Sequence, residues 1–197
     1  MAVLNFFKER LTLFLAVLFP VYMFFLHAPF EMYLTNRLDF WFGLSDFWWM
    51  ILIAFTAAFV ILFLAGAFLP KLIRNIYSVI GIACGLCLYL QGNFLNTDLG
   101  SLNGSEIIWS DYSVKFIINA IIWLAIISVA LLLFFIFKQK TVKIISAIAA
   151  FILLIQTITL STLFISGVSA ESNATETSQY TVTDRNLYTV SKDENVI

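Results

Sequence analysis

Five long apolar runs decide what this chain can fold into. They occupy 11–27, 47–69, 76–92, 116–137 and 144–165, and none contains a charged side chain. A helix needs about 20 such residues to cross the hydrocarbon layer of a bilayer. The third run is the weakest and a soluble core helix could imitate it; four more beside it could not be imitated that way. Composition agrees, because 61% of the 197 residues are hydrophobic and only 12% charged, where a soluble domain has about 45–50% and about 25%. The expected fold class is an all-α membrane protein, a bundle of about five transmembrane helices with the bilayer as solvent. A net charge of −1 and the lack of any basic stripe exclude a nucleic-acid partner.

Lys8 and Arg10 followed by an apolar run suggest a secretory signal, but His27-Ala28-Pro29-Phe30-Glu31 lacks a small-residue cleavage site, so the first run reads as a retained helix. Lysines and arginines in short loops then set the orientation. Seven (Lys8, Arg10, Lys71, Arg74, Lys138, Lys140, Lys143) fall on the side of the N-terminus, and four (Arg37, Lys115, Arg185, Lys192) on the other. Of the 12 acidic residues only Glu9 lies on the first side. The expected topology has the N-terminus in the cytoplasm and the C-terminal tail outside.

The inner connections, 70–75 and 138–143, are short and basic, whereas the outer loops, 27–46 and 91–115, are longer and aromatic. Tryptophan and tyrosine favour the headgroup layer, so the outer loops are expected to lie on the membrane surface. Their candidate headgroup or domain-docking contacts are Glu31, Asn36 and Arg37 in loop one, and Gln91, Asn93, Asp98, Asn103 and Trp109 in loop two. Residues 1–167 form the expected transmembrane domain. From 168 to 197 the chain reads as an extracellular linker, rich in Ser, Thr and Glu, and Asn195-Val196-Ile197 reads as the opening of a strand of another domain.

Inside the spans, Gly81 and Gly85 make one helical face small enough for close helix packing. Gln156, in a Thr/Ser-rich stretch of the fifth run, needs a hydrogen-bond partner on another helix. Cys84 and Cys87 read as small apolar residues facing a neighbour, since no second cysteine pair exists and His27 is the only histidine. No metal-ligand cluster, catalytic pair or phosphate-cradling glycine loop appears.

The stretch Y-L-Q-G-N-F-L-N-T-D-L-G-S-L-N-G-S-E-I-I-W, Tyr89 to Trp109, resembles the outer loop of bacterial sulfatase-like membrane proteins. In these a multi-span region precedes an extracellular domain of the alkaline phosphatase superfamily. Lipoteichoic acid synthases and phosphoethanolamine transferases are similar in plan. The ending Ser191-Lys192-Asp193-Glu194-Asn195-Val196-Ile197 also resembles the entry to that domain's first strand. The resemblance implies a bacterial plasma-membrane protein that anchors a cell-envelope transferase or hydrolase near lipid-linked substrate. It also implies that the divalent metal and the nucleophile reside in a catalytic domain absent from these residues. The chain alone is then expected to be inactive and to hold no cofactor. The alternatives are a small transporter or permease subunit with a polar path around Gln156, or a structural membrane protein that recruits a partner through its tail.

Overall fold

The computed structural model describes residues 2–37, 40, 42–96 and 108–177, with side chains for those between 10 and 166. Its helices are α1 (Ala2–Val21), α2 (Ala28–Thr35), α3 (Leu44–Ala67), α4 (Lys71–Asn93), α5 (Ser113–Phe137) and α6 (Gln139–Thr177). A π turn, Tyr22–His27, joins α1 to α2, and a single 3-10 turn, Trp109–Tyr112, leads into α5. Among the described residues there is no strand. Five helical segments are long and apolar enough to cross a membrane: Arg10–Thr35, Leu44–Ala67, Lys71–Asn93, Trp109–Phe137 and Gln139–Ser166.

Each of the five apolar runs therefore falls on one of these segments; the first is shared between α1 and the π turn, the second passes the end of α3 by two residues, and the helices of the other three extend beyond their runs on at least one side. Loop one is expected to start at His27, yet the chain stays helical to Thr35, passing through Pro29 in the first turn of α2. Gln91 and Asn93 belong to α4 rather than to loop two. The backbone of α6 is helical to Thr177, into the stretch read as a linker; residues 178–197, with the expected strand opening, lie outside the described residues.

α1 is the centre of the bundle, in contact with α3, α4 and α6. Leu13, Val17 and Val21 pack on Phe55, Phe59 and Phe63 of α3, while Phe19, Tyr22 and Met23 meet Ile82 of α4 and Ala149 and Leu153 of α6. Pro20 lies inside α1 and has no N–H for the carbonyl of Ala16 four residues back. Gly81 of α4 packs on that same carbonyl: a Cβ there would stand 2.5 Å from the oxygen. One turn on, Gly85 lies on the ring of Phe19, 2.4 Å from where its Cβ would be. α3 and α5 are the least buried spans, with residues such as Ile61 and Leu124 each 65% exposed. Lipid contact is what those surfaces suit, since burying them against another helix would gain little in a hydrocarbon solvent.

The connections opposite the aromatic loops are tight. Pro70, extended at φ −56° and ψ 152°, ends one helix and starts the next. Arg10 and Arg74 donate to the Ala67 and Leu69 carbonyls at 3.4 Å each, supplying donors where the C-terminal carbonyls of α3 lack them. Between α5 and α6 a single residue, Lys138, makes the turn at φ 50°. Cys87 is buried, its Sγ 3.9 Å from the Trp123 carbonyl of α5.

Candidate functional site

The end of the bundle that carries the aromatic loops holds two concavities. The first is organised by Tyr33, 3% exposed, whose ring lies against Phe40, Phe42 and Phe47 at 4.9–6.1 Å. Its hydroxyl donates to the Phe42 carbonyl at 3.2 Å. This aromatic knot folds the connection between α2 and α3 back over the bundle. α3 then starts at Gly43, whose N–H donates to the Asp46 carboxylate at 2.8 Å, an N-terminal cap. Between these elements lies a cavity of about 260 Å³ lined by Tyr33, Leu34, Arg37, Gly43, Leu44, Ser45 and Phe164. Phe164 comes from α6 and also packs on Phe30, ring centroids 5.3 Å apart.

The second concavity is a groove of about 610 Å³ running along α5, lined by Gln91, Phe116, Asn119, Ala120, Trp123, Leu124 and Ile127. Its polar end is a small network. Trp123 Nε1 donates to Gln91 Oε1 at 3.3 Å, while Gln91 Nε2 and Asn119 Nδ2 both donate to the Leu95 carbonyl at 3.1 Å. These bonds tie the end of α4 to α5 where the chain leaves the helix. The lower part of the groove is aliphatic.

The candidate contacts are thus divided. Arg37 lines the first cavity and Gln91 the groove, and no lining residue is shared. Glu31 holds its carboxylate 3.2 Å from His27 Nδ1. Asn36 closes α2 by donating to the Met32 carbonyl at 2.9 Å, and Asn93 donates to the Tyr89 carbonyl at 2.8 Å. Both amides serve their own helix ends. Trp109 is 59% exposed, its ring 6.4 Å from that of Phe116. Asp98 and Asn103 lie outside the described residues. Gly81 and Gly85 face α1, and Gln156 is buried at 4% exposure in α6.

Sequence reasoning passed over Asn119, Trp123, Ser45 and Phe164. Asn119 carried a signal, as the lone amide in the fourth apolar run; Ser45 and Phe164 meet only through tertiary packing. Chemically the first cavity offers the Arg37 guanidinium and two aromatic walls, with the Ser45 hydroxyl donating to Asp46 Oδ1 at 3.3 Å, a set that can hold a polar headgroup. It contains no carboxylate, histidine or cysteine among its lining residues, so it has no acid–base or nucleophilic pair. Among the described residues no three His, Cys, Asp or Glu side chains gather as a metal site.

The fold defines a protein that is all-helical among the described residues, with five helices long and apolar enough to cross a membrane and two concavities at one end. Comparison with family models, with curated proteins and with solved structures gives no match for the chain.

Proposed function

We propose that this chain is the membrane anchor and platform of a sulfatase-like cell-envelope transferase or hydrolase in the bacterial plasma membrane. In this reading the N-terminus is cytoplasmic and the aromatic loops and the tail are outside. The observation that carries the reading is the position of Phe164. The helix that leads to the tail supplies a wall of the Arg37 cavity and runs on to Thr177, so the segment that tethers a partner domain is carried on the same helix that shapes the pocket. Tethering in the plane of the substrate raises effective concentration without adding contacts. Arg37 meets the headgroup, Tyr33, Ser45 and Phe164 shape the cavity, and the chemistry belongs to the tethered domain.

A transporter has less support. The hydroxyls of Thr157, Thr159, Ser161 and Thr162 each donate to the carbonyl four residues back, at 2.7–3.1 Å, which leaves no hydroxyl proton for a polar path.

The test reconstitutes the chain in vesicles with a purified sulfatase-like catalytic domain and measures turnover of lipid-linked substrate. Turnover is expected to exceed that of the soluble domain alone by at least tenfold, and to fall several-fold in Arg37→Ala through a higher KM. Equal turnover with and without the membrane chain would discard the platform role.

A further inference from the structure

A third cavity, of about 360 Å³, lies between α5 and α6 and plays no part in the outer site. Its floor is Phe19 of α1, Ile82 and Ala83 of α4 and Ala149 of α6, each at most 4% exposed. Its rim is Val129 and Leu133 of α5 and Ile148 of α6, which are 53%, 39% and 48% exposed. Every lining residue is Ala, Val, Leu, Ile or Phe. Walls of that kind exclude water, and an apolar cavity of about 150 Å³ already takes up benzene. The space is therefore dry, and large enough for a longer hydrocarbon.

The sequence around the Lys138 turn explains the gap. Lys138 alone joins the two helices, and close to it Phe134 and Val142 pack on Val79 of α4. Farther in, the lining carries Ala125, Ala130 and Ala149, side chains too short to fill the space. Along α5 the lining runs from Leu133 to Ala125, about 7–20 Å from Lys138 along the helix axis. Half of the hydrocarbon layer is about 15 Å thick. The cavity thus follows the depth of one leaflet, from below its headgroups to the midplane, which is the course of an acyl chain.

The charge at the turn selects the lipid. Lys138, Lys140 and Lys143 are all exposed there, and the chain has no Asp or Glu from 112 to 170 to offset them. An ammonium is a point-charge partner for phosphate, and near a membrane surface each one strengthens binding to anionic lipid roughly fivefold. A helix from a second copy fits less well. Close helix contact in lipid needs small residues at the surface, whereas Val129, Leu133 and Ile148 make the rim bulky. We propose that this cavity binds one anionic phospholipid from the leaflet on the Lys138 side, with an acyl chain between α5 and α6 and the phosphate on the lysines. The site lies toward the opposite end of the bundle from the Arg37 cavity and does not depend on the platform reading.

The test places the full chain in nanodiscs with phosphatidylglycerol or phosphatidylcholine that carries a diazirine mid-chain, irradiates, and maps the adducts by mass spectrometry. Adducts are expected on Val129, Leu133 and Ile148 at several times the level on Ile61 and Phe151, although those two are each 65% exposed. Phosphatidylglycerol should label the cavity at least about fivefold more than phosphatidylcholine. Ala130→Phe, which fills the cavity, should remove the excess over Ile61 and Phe151. Lys140→Gln combined with Lys143→Gln should erase the headgroup preference and leave the adduct positions unchanged. Three results would each overturn the site: adducts as frequent on Ile61 and Phe151 as on Val129, equal labelling by the two lipids, or an unlabelled cavity sealed within a dimer. The wild-type map decides even where Ala130→Phe fails to fold.

Discussion

Gly81, Gly85 and Gly92 occupy one helix and differ in what a methyl group would strike. At Gly81 it would meet the Ala16 backbone oxygen at 2.5 Å, and at Gly85 the Phe19 ring at 2.4 Å. Phe19 is wholly buried, so neither neighbour can step aside. Gly81→Ala and Gly85→Ala are each expected to lower stability by about 1–3 kcal/mol, the usual cost of overpacking, measured by thermal unfolding in detergent. Gly92 has nothing within 4 Å, and Gly92→Ala should be neutral or raise stability by up to about 1 kcal/mol through helix propensity. Loss of stability at Gly92, or none at Gly81, would show that the α1–α4 contact is not the tight one. The spacing of Gly81 and Gly85 is legible in the sequence as a small face. That the face lands on the carbonyl left open by Pro20 is not legible, because it depends on how two helices meet in depth.

At the scale of elements, the turn between α5 and α6 carries the clearest strain. Lys138 sits at φ 50° and ψ −117°, a conformation that costs a residue with a Cβ on the order of 1–3 kcal/mol. Lys138→Gly should therefore raise stability by about 1 kcal/mol, even though it removes a charge. The neighbouring Thr141, 5% exposed, donates to the Leu133 carbonyl at 2.7 Å. Thr141→Val keeps the shape and removes the donor, and should cost about 1–2 kcal/mol. Chemical denaturation in mixed micelles would check both, and equal stability of all three proteins would refute the account of this turn.

The same scale shows why helix ends were harder to read than helix centres. Hydropathy reports where lipid is, whereas α2 and the ends of α4 continue in helical form through residues that suit the interface, such as Glu31, Gln91 and Asn93. The π turn has no compositional mark of its own. Pro20, two residues before it, is the one hint, and it announces a disturbed ladder without saying which way the register shifts. Tyr22 and His27, whose ring centroids it brings within 6.1 Å, are five apart in sequence, a spacing that helical periodicity would place on different faces.

For the whole molecule, the order of burial runs against hydropathy. α5 lies in the most apolar span, with a mean hydropathy of 3.0, and is among the least buried; α4, at 1.6, is the second most buried. In lipid, greasiness cannot pull a helix inward, and close approach of small residues does so instead. Ser78, Ala83, Gly85 and Cys87 are accordingly buried on α4. The five spans were legible from hydropathy, and the small face of α4 from its glycines; that α1 would be central was not legible, because its buried face is made of large residues such as Leu13, Val17 and Phe19. An odd number of spans also places the two termini on opposite sides if all five cross. The Arg37 cavity and the Gln91 groove then share a side with the tail, and Lys138 and Lys140 face the other. In a Cys84→Ala, Cys87→Ala background, a membrane-impermeant maleimide added to intact cells should label Ser110→Cys. It should reach Lys140→Cys only after the membrane is opened, since both positions are exposed. Labelling of Lys140→Cys in intact cells with Ser110→Cys silent would invert the topology. The platform would then face the cytoplasm, away from any cell-envelope substrate, while the packing of α1 on α4 would stand unchanged.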